Sequence, residues 1–249
     1  MSNEYIIDEI REETGIITLN RPQTLNSINE QMLQELSSKI KEYNQQKQIK
    51  VIILKGIEQT FAAGIDIKML AAQFNNAQTI IRNMQDSVKS IRSSQKPIIA
   101  AVSGFALGIG CEIALACDII LAADNARFGL PELSIGLIPC FGGCSLLSAR
   151  IGKAKAMDMI LSGKAMSADE AEASGLISRV VTPESLMEES LKLAKRIAAL
   201  PEHTVSNVKR IISATEDSVL SELENLSALN ALESKEFQQI LQSYAAKKD

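Results

Sequence analysis

Three short runs constrain this chain most: Val51-Ile52-Ile53-Leu54, Pro97-Ile98-Ile99-Ala100-Ala101-Val102 and Asp118-Ile119-Ile120-Leu121-Ala122-Ala123. Each is almost wholly apolar and shorter than an ordinary helix, the pattern of a strand covered on both faces. Such strands need packing layers, and segments with helical spacing supply them. Met32, Leu33, Leu36, Ile40 and Tyr43 form the apolar stripe of a helix capped by Asn29 and running to 44, and a polar helix spans roughly 77–93. A strand pair at 5–10 and 15–20 comes first. Residues 126–129 read as a short strand or turn, and Pro131-Glu132 opens a short helix. Helices cover 144–151 and 153–162, Ser167 and Glu170 fit a capping box opening a helix to 174, and a last strand covers 176–181. Residues 56–70 and 136–143 read as loops, and the chain beyond 183 is mainly helical. This order predicts an α/β fold with layered sheets, divided into a core over 1–200 and a helical region over 201–249. The β-then-α passages 51–93 and 97–117 share no strict period, so a solenoid-like stacking rests on element order alone.

Composition excludes several classes. The 249 residues carry a net charge of −4, so no basic excess exists to attract nucleic acid or an anionic membrane. With no Trp, three Tyr and six Phe, stacked-base recognition is poorly supplied. No apolar run reaches the ~18 residues of a membrane span. The polar, acidic stretch 1–13 is unlike a signal peptide. Cys111, Cys117, Cys140 and Cys144 lack CxxC spacing, and His203 is the only histidine. The expectation is therefore no metal site, buried reduced thiols and a cytoplasmic location.

The candidate chemistry centres on residues 104–112. Gly104, Gly108 and Gly110 let the backbone turn sharply and let a ligand approach it. A helix then begins near Glu112, a carboxylate inside an otherwise apolar segment. Glu132 is a second acid at a predicted helix start. Two partly buried carboxylates suit general acid–base work, because burial and mutual repulsion lift one pKa towards neutrality. On spacing alone they serve equally well as helix-start acids facing the dipole. The glycines flanking both favour function. Ala63-Gly64-Ile65-Asp66 and Gly108-Ile109-Gly110 are candidate backbone donors for an oxyanion hole, and Lys68 could meet a phosphate. Neither glycine stretch completes a dinucleotide fingerprint or a phosphate loop. His203 reads as structural, at an exposed helix start after Pro201.

Taken together, these pieces resemble the enoyl-CoA hydratase/isomerase (crotonase) family. The matching blocks are Leu19-Asn20-Arg21-Pro22, Phe61-Ala62-Ala63-Gly64-Ile65-Asp66-Ile67-Lys68, residues 97–118, Phe128-Gly129-Leu130-Pro131-Glu132, and Gly136-Leu137-Ile138-Pro139 with Gly142-Gly143. The resemblance implies a spiral of ββα units with a helical C-terminal region that builds homotrimers or hexamers. It implies an acyl-CoA thioester substrate, oxyanion donors at the N–H groups of Ile65 and Ile109, and catalytic Glu112 and Glu132. Substrate contacts would run along Ala63, Gly64, Asp66, Ile67, Lys68 and Gly108. Coenzyme A enters as part of the substrate, and no separate cofactor is implied. Cys140 stands where the family usually has glycine, and Ile109 where hydratases commonly do. The implied activity is hydration of a trans-2-enoyl-CoA. Double-bond isomerisation, another enolate reaction, or a non-catalytic acyl-CoA-binding or scaffold role remain the rivals.

Overall fold

The computed structural model describes residues 5–57, 59–214 and 219–246. Of the helical region expected over 201–249, residues 215–218 and 247–249 lie outside this set.

The chain opens with an antiparallel hairpin, β1 (Ile6–Arg11) and β2 (Thr14–Leu19), paired from Ile6↔Leu19 to Arg11↔Thr14. Helix α1 (Glu30–Gln45) follows, its first turn capped by Asn29, whose side chain accepts from the Met32 N–H. Three rounds of one pattern come next. The first is β3 (Val51–Lys55), β4 (Thr60–Ala62), α2 (Ile67–Ala72) and α3 (Ala77–Arg92). The second is β5 (Ile98–Val102), β6 (Phe105–Leu107) and α4 (Ile109–Ala116). The third is β7 (Ile119–Ala123), β8 (Arg127–Gly129), a 3-10 turn over Glu132–Ile135 and α5 (Gly143–Ser162). Then come β9 (Met166–Ser167), α6 (Ala168–Ser174), β10 (Arg179–Val181), and helices α7 (Leu186–Ala198), α8 (Glu202–Ala214), α9 (Val219–Glu233) and α10 (Lys235–Ala246).

Each round gives one strand to each of two sheets. The larger has the order β1-β2-β3-β5-β7-β10 and the smaller β4-β6-β8-β9. Strands of successive rounds lie parallel, with Ile52 opposite Ile98, Ile99 opposite Ile119, and Ala106 opposite Phe128. The chain therefore advances one strand position per turn, which is the expected spiral of ββα units.

The uninterrupted apolar strands follow from cover on both faces. Ile52, Leu54, Ile98, Ala100, Val102, Ile120 and Ala122 join the main core with α1, α3 and α4. Their neighbours Val51, Ile53, Ile99, Ala101, Leu121 and Ala123 pack instead with Leu186 and Ala194 of α7. Fully burying one such Ile or Leu is worth about 1.5–3 kcal/mol. The stripe Met32, Leu33, Leu36, Ile40 and Tyr43 is buried as expected. No helix among the described residues is long and apolar enough to cross a membrane.

Several expectations need correction. The loop expected at 56–70 contains β4 and α2, and the glycine turn contains β6. Three-residue strands are too short for any alternation to be read. The helix expected to start at Glu112 starts at Ile109, because Gly108 at its cap and Gly110 in its first turn hid the onset. The last strand covers only Arg179–Val181. The two helices expected at 144–151 and 153–162 are present within α5, separated where the backbone leaves the helical region at Gly152, with φ 77°. The capping box at Ser167 and Glu170 is present with both of its bonds.

Candidate active site

The site is built where the ends of β4 and β6 lead into helices. After β4, residues 63–66 are tied to the segment before α1. The Ala63 N–H donates to Leu25 O at 3.1 Å, Ile28 N–H to Gly64 O at 2.7 Å, and Asp66 N–H to Ile28 O at 2.8 Å. This bridge uses the amides on either side of Ile65 and leaves the Ile65 N–H out of it. Asn26 supports the arrangement from below. It is fully buried, with φ 54°. Its amide donates to Leu19 O at 3.0 Å and Phe61 O at 3.1 Å, and its oxygen accepts from Arg21 N–H at 2.7 Å.

After β6, Gly108 precedes α4 with φ 52° and ψ −130°, a combination that only glycine adopts freely. Its N–H donates to Gly129 O at 2.8 Å. Ile109 is the first residue of α4, so its N–H has no acceptor within the helix. Gly110 lets the helix start lie on β4, since a Cβ there would stand 2.3 Å from Ala62 O. The two turns touch. A Cβ on Gly108 would lie 3.5 Å from the Gly64 Cα, and one on Gly64 would lie 3.6 Å from Leu107 O. Ile65 and Ile109 each follow one of these abutting glycines.

Two acids flank this junction. Glu112, in the first turn of α4, is 0% exposed. Its Oε1 accepts from Phe141 N–H at 2.8 Å and Gly143 N–H at 2.9 Å. Glycine is needed at 143, because a Cβ there would stand 2.6 Å from that oxygen. Glu132, in the 3-10 turn, is 8% exposed, and its Oε2 is buried without a hydrogen-bond partner among the described residues. Burial raises its pKa from 4.5 to about 7. Cys111 feels both acids. Its thiol is pushed up first by burial, then by the charge of Glu132 and then by that of Glu112. The two carboxylates thus share one neighbourhood in different environments. Both are buried; Glu112 is held by two amides, and Glu132 lies at the slightly less enclosed position.

The remaining expected residues are placed as follows. Ala63 and Gly64 lie in the first turn, with Gly64 at φ 114°. Asp66 caps α2, accepting from Met69 N–H at 3.0 Å, and its other oxygen pairs with Arg21 at 2.7 Å. Its carboxylate is thus committed to holding the loop. Ile67 is partly buried against the core, and Lys68 is exposed on the first turn of α2. His203 lies exposed on α8, as expected. Cys111, Cys117, Cys140 and Cys144 are not joined in disulfides. Sequence reasoning missed Asn26, Arg21 and the amides of Phe141 and Gly143. The last two act through the backbone and leave only Gly142-Gly143 as a signal. Helix α10 lies over the turn after Glu132, where a Cβ on Gly136 would stand 3.4 Å from Phe237.

A spiral of ββα units carrying two abutting glycine turns is the crotonase fold. The chain belongs to the enoyl-CoA hydratase/isomerase family, whose model matches residues 9–249. It is 42% identical over 222 residues to the probable enoyl-CoA hydratase of Rhizobium meliloti (strain 1021), covering 89% of this chain and 86% of that one. It is 38% identical to the mitochondrial enoyl-CoA hydratase of Pongo abelii, over 88% of this chain and 76% of that one. The crystal structure of an enoyl-CoA hydratase/isomerase from Pseudoalteromonas atlantica T6c superposes with a TM-score of 0.87 at 30% identity, covering 99% and 98% of the two chains.

Proposed function

We propose that this protein is an enoyl-CoA hydratase that adds water to a trans-2-enoyl-CoA thioester to give the 3-hydroxyacyl-CoA. The observation that carries this reading is the contrast between Glu112 and Glu132. Glu112 accepts two N–H bonds, while burial keeps Glu132 protonated up to about pH 7. One group suits a base and the other an acid in the same turnover.

In this reading the thioester oxygen accepts from the N–H groups of Ile65 and Ile109. Glu112 takes a proton from water as the water oxygen bonds to C3. The C2–C3 π electrons move onto the thioester as an enolate, whose charge the two amides stabilise. The enolate collapses as C2 takes the proton of Glu132. Transfer of a proton from Glu112 back to Glu132 resets the pair. Polarisation by amides supplies what a metal would otherwise supply, so the reading needs no metal or redox cofactor. Lys68 is assigned to a coenzyme A phosphate.

The exposed apolar face of α8 supports assembly with copies of the same chain. Leu200, Val208 and Ile212 line a groove of about 430 Å3 there. A homotrimer, or a pair of them, is the assembly this reading carries.

Loss of enoyl-thioester absorbance from crotonyl-CoA tests the activity. Hydration is expected with the wild type. A drop of at least about 100-fold is expected in Glu112→Gln and in Glu132→Gln. Full rates in both variants would sink the two-acid mechanism.

A further inference from the structure

We infer that Gln85 is a positioning residue for Glu112, acting through a single peptide group. Gln85 lies on α3 and is 7% exposed. Its Nε2 donates to Cys140 O at 2.9 Å. The N–H of that same peptide group belongs to Phe141, and it donates to Glu112 Oε1 at 2.8 Å. A peptide group is a rigid plane, so a bond at its carbonyl fixes where its N–H points. One amide from α3 therefore aims a donor at an acid on α4, with no contact between the two side chains needed.

The loop needs such an anchor. Gly142 stands at φ 105° and Gly143 follows it, so no side chain stiffens that stretch. Rotation of the 140–141 peptide would remove a donor from Glu112 and turn a carbonyl towards it. A bond to the carbonyl opposes this rotation and polarises the N–H on the far side. The rest of the buried face of α3 is mostly apolar, with Ala77, Ile80, Ile81, Met84, Val88 and Ile91. An amide among them is costly unless it is bonded. Packing alone would be served by Leu or Met.

The inference rests on the hydratase reading for its kinetic test, since Glu112 is the base there. Gln85→Met keeps length and bulk and removes the donor. It is expected to lower kcat about 5- to 10-fold, the worth of about one hydrogen bond, with KM changed by less than about twofold. In a Glu112→Gln background the same change is expected to add less than about twofold, because the two residues act as a unit. Should Gln85→Met fail to fold, Gln85→Asn, which keeps the amide but shortens its reach, takes its place. An unchanged kcat, or a full loss repeated in the Glu112→Gln background, overturns the inference. The infrared difference between wild type and Glu112→Gln isolates the Glu112 carboxylate stretch independently of turnover. Gln85→Met is expected to displace that band, and an unmoved band overturns the inference. A wild type that hydrates no enoyl-CoA sinks the functional reading, while the band still decides the role of Gln85.

Discussion

A methyl group placed on Gly108 would stand 2.9 Å from Oε1 of Glu132. The second turn and the second acid are therefore in contact, and a side chain at 108 would push the Glu132 carboxylate aside. Gly108 also holds φ 52° and ψ −130°. Gly108→Ala is expected to displace both the Ile109 amide and the Glu132 carboxylate. Losing one oxyanion donor costs about 100- to 1,000-fold in kcat, so a fall of at least about 100-fold is expected. The backbone strain should cost about 1–3 kcal/mol of stability. Initial rates and urea unfolding measure the two effects. A variant with wild-type kcat would disprove the juxtaposition.

Burial of Glu132 has a consequence for stability as well as rate. Its pKa in the folded chain is about 7, above the 4.5 of an unperturbed glutamate. The folded state therefore keeps a proton that the unfolded chain has already lost. Stability falls as pH rises from 4.5 towards 7, and the loss is complete above that window. Glu132→Gln escapes this cost. Its stability relative to wild type should be lowest near pH 4 and rise to a plateau above pH 7. By linkage that gain is about 3 kcal/mol at most. Chemical unfolding of both proteins at about pH 4, 6 and 8 tests the sign, and a pH-independent difference would refute it. In the wild type, kcat should decline above about pH 7 as the acid ionises.

Much of this arrangement was legible because apolar strands and flanking helices have different periods. The runs at 51–54, 97–102 and 118–123 declared their double burial, and Asn29 and Ser167 declared their helix starts. Glu112 and Glu132 were visible as acids in apolar surroundings. What stayed hidden was carried by the backbone or by very short strands. Thr60-Phe61-Ala62 and Phe105-Ala106-Leu107 look like loop because three residues carry no periodicity. The amide of Phe141 leaves no trace in its side chain. Asp66 also caps α2 and pairs with Arg21, two roles that its place in the motif does not announce. Its ion-pair partner Arg21 lies far away in sequence, and pattern reading has no access to it.

Asn26 carries the first turn, and its loss should be felt before the chemistry. Its amide ties Leu19 O to Phe61 O inside the core. Asn26→Leu removes a donor from two buried carbonyls and strains a residue at φ 54°. Each stranded carbonyl costs about 1–3 kcal/mol. A total loss of about 3 kcal/mol or more is expected in urea unfolding. A loss below about 1 kcal/mol would mean that the loop is held by its backbone bonds alone.

Lys68 offers a test on binding alone. It is exposed on the first turn of α2, away from the two acids in sequence and in burial. If it meets a coenzyme A phosphate, Lys68→Ala should raise KM several-fold and leave kcat within about twofold, because the contact is equal in ground and transition states. The wild-type KM should also rise with salt more steeply than that of the variant. A fall in kcat at constant KM would move Lys68 from binding to chemistry.

The face of α8 sets the last expectation. Val208, Ile211 and Ile212 are 51%, 66% and 60% exposed. Three large aliphatic side chains within five residues of one helix form a patch that water solvates poorly. Copies of the chain would bury it, and light scattering of the wild type is expected to give the mass of three or six chains. Val208→Glu combined with Ile212→Glu places two carboxylates where a neighbouring chain would exclude water. Burying an unpaired charge costs several kcal/mol, enough to dissociate a micromolar assembly. Because these side chains are exposed in the single chain, the substitutions should leave its own fold intact, and circular dichroism checks this. A double variant that keeps the wild-type mass would place the contact between copies on another face.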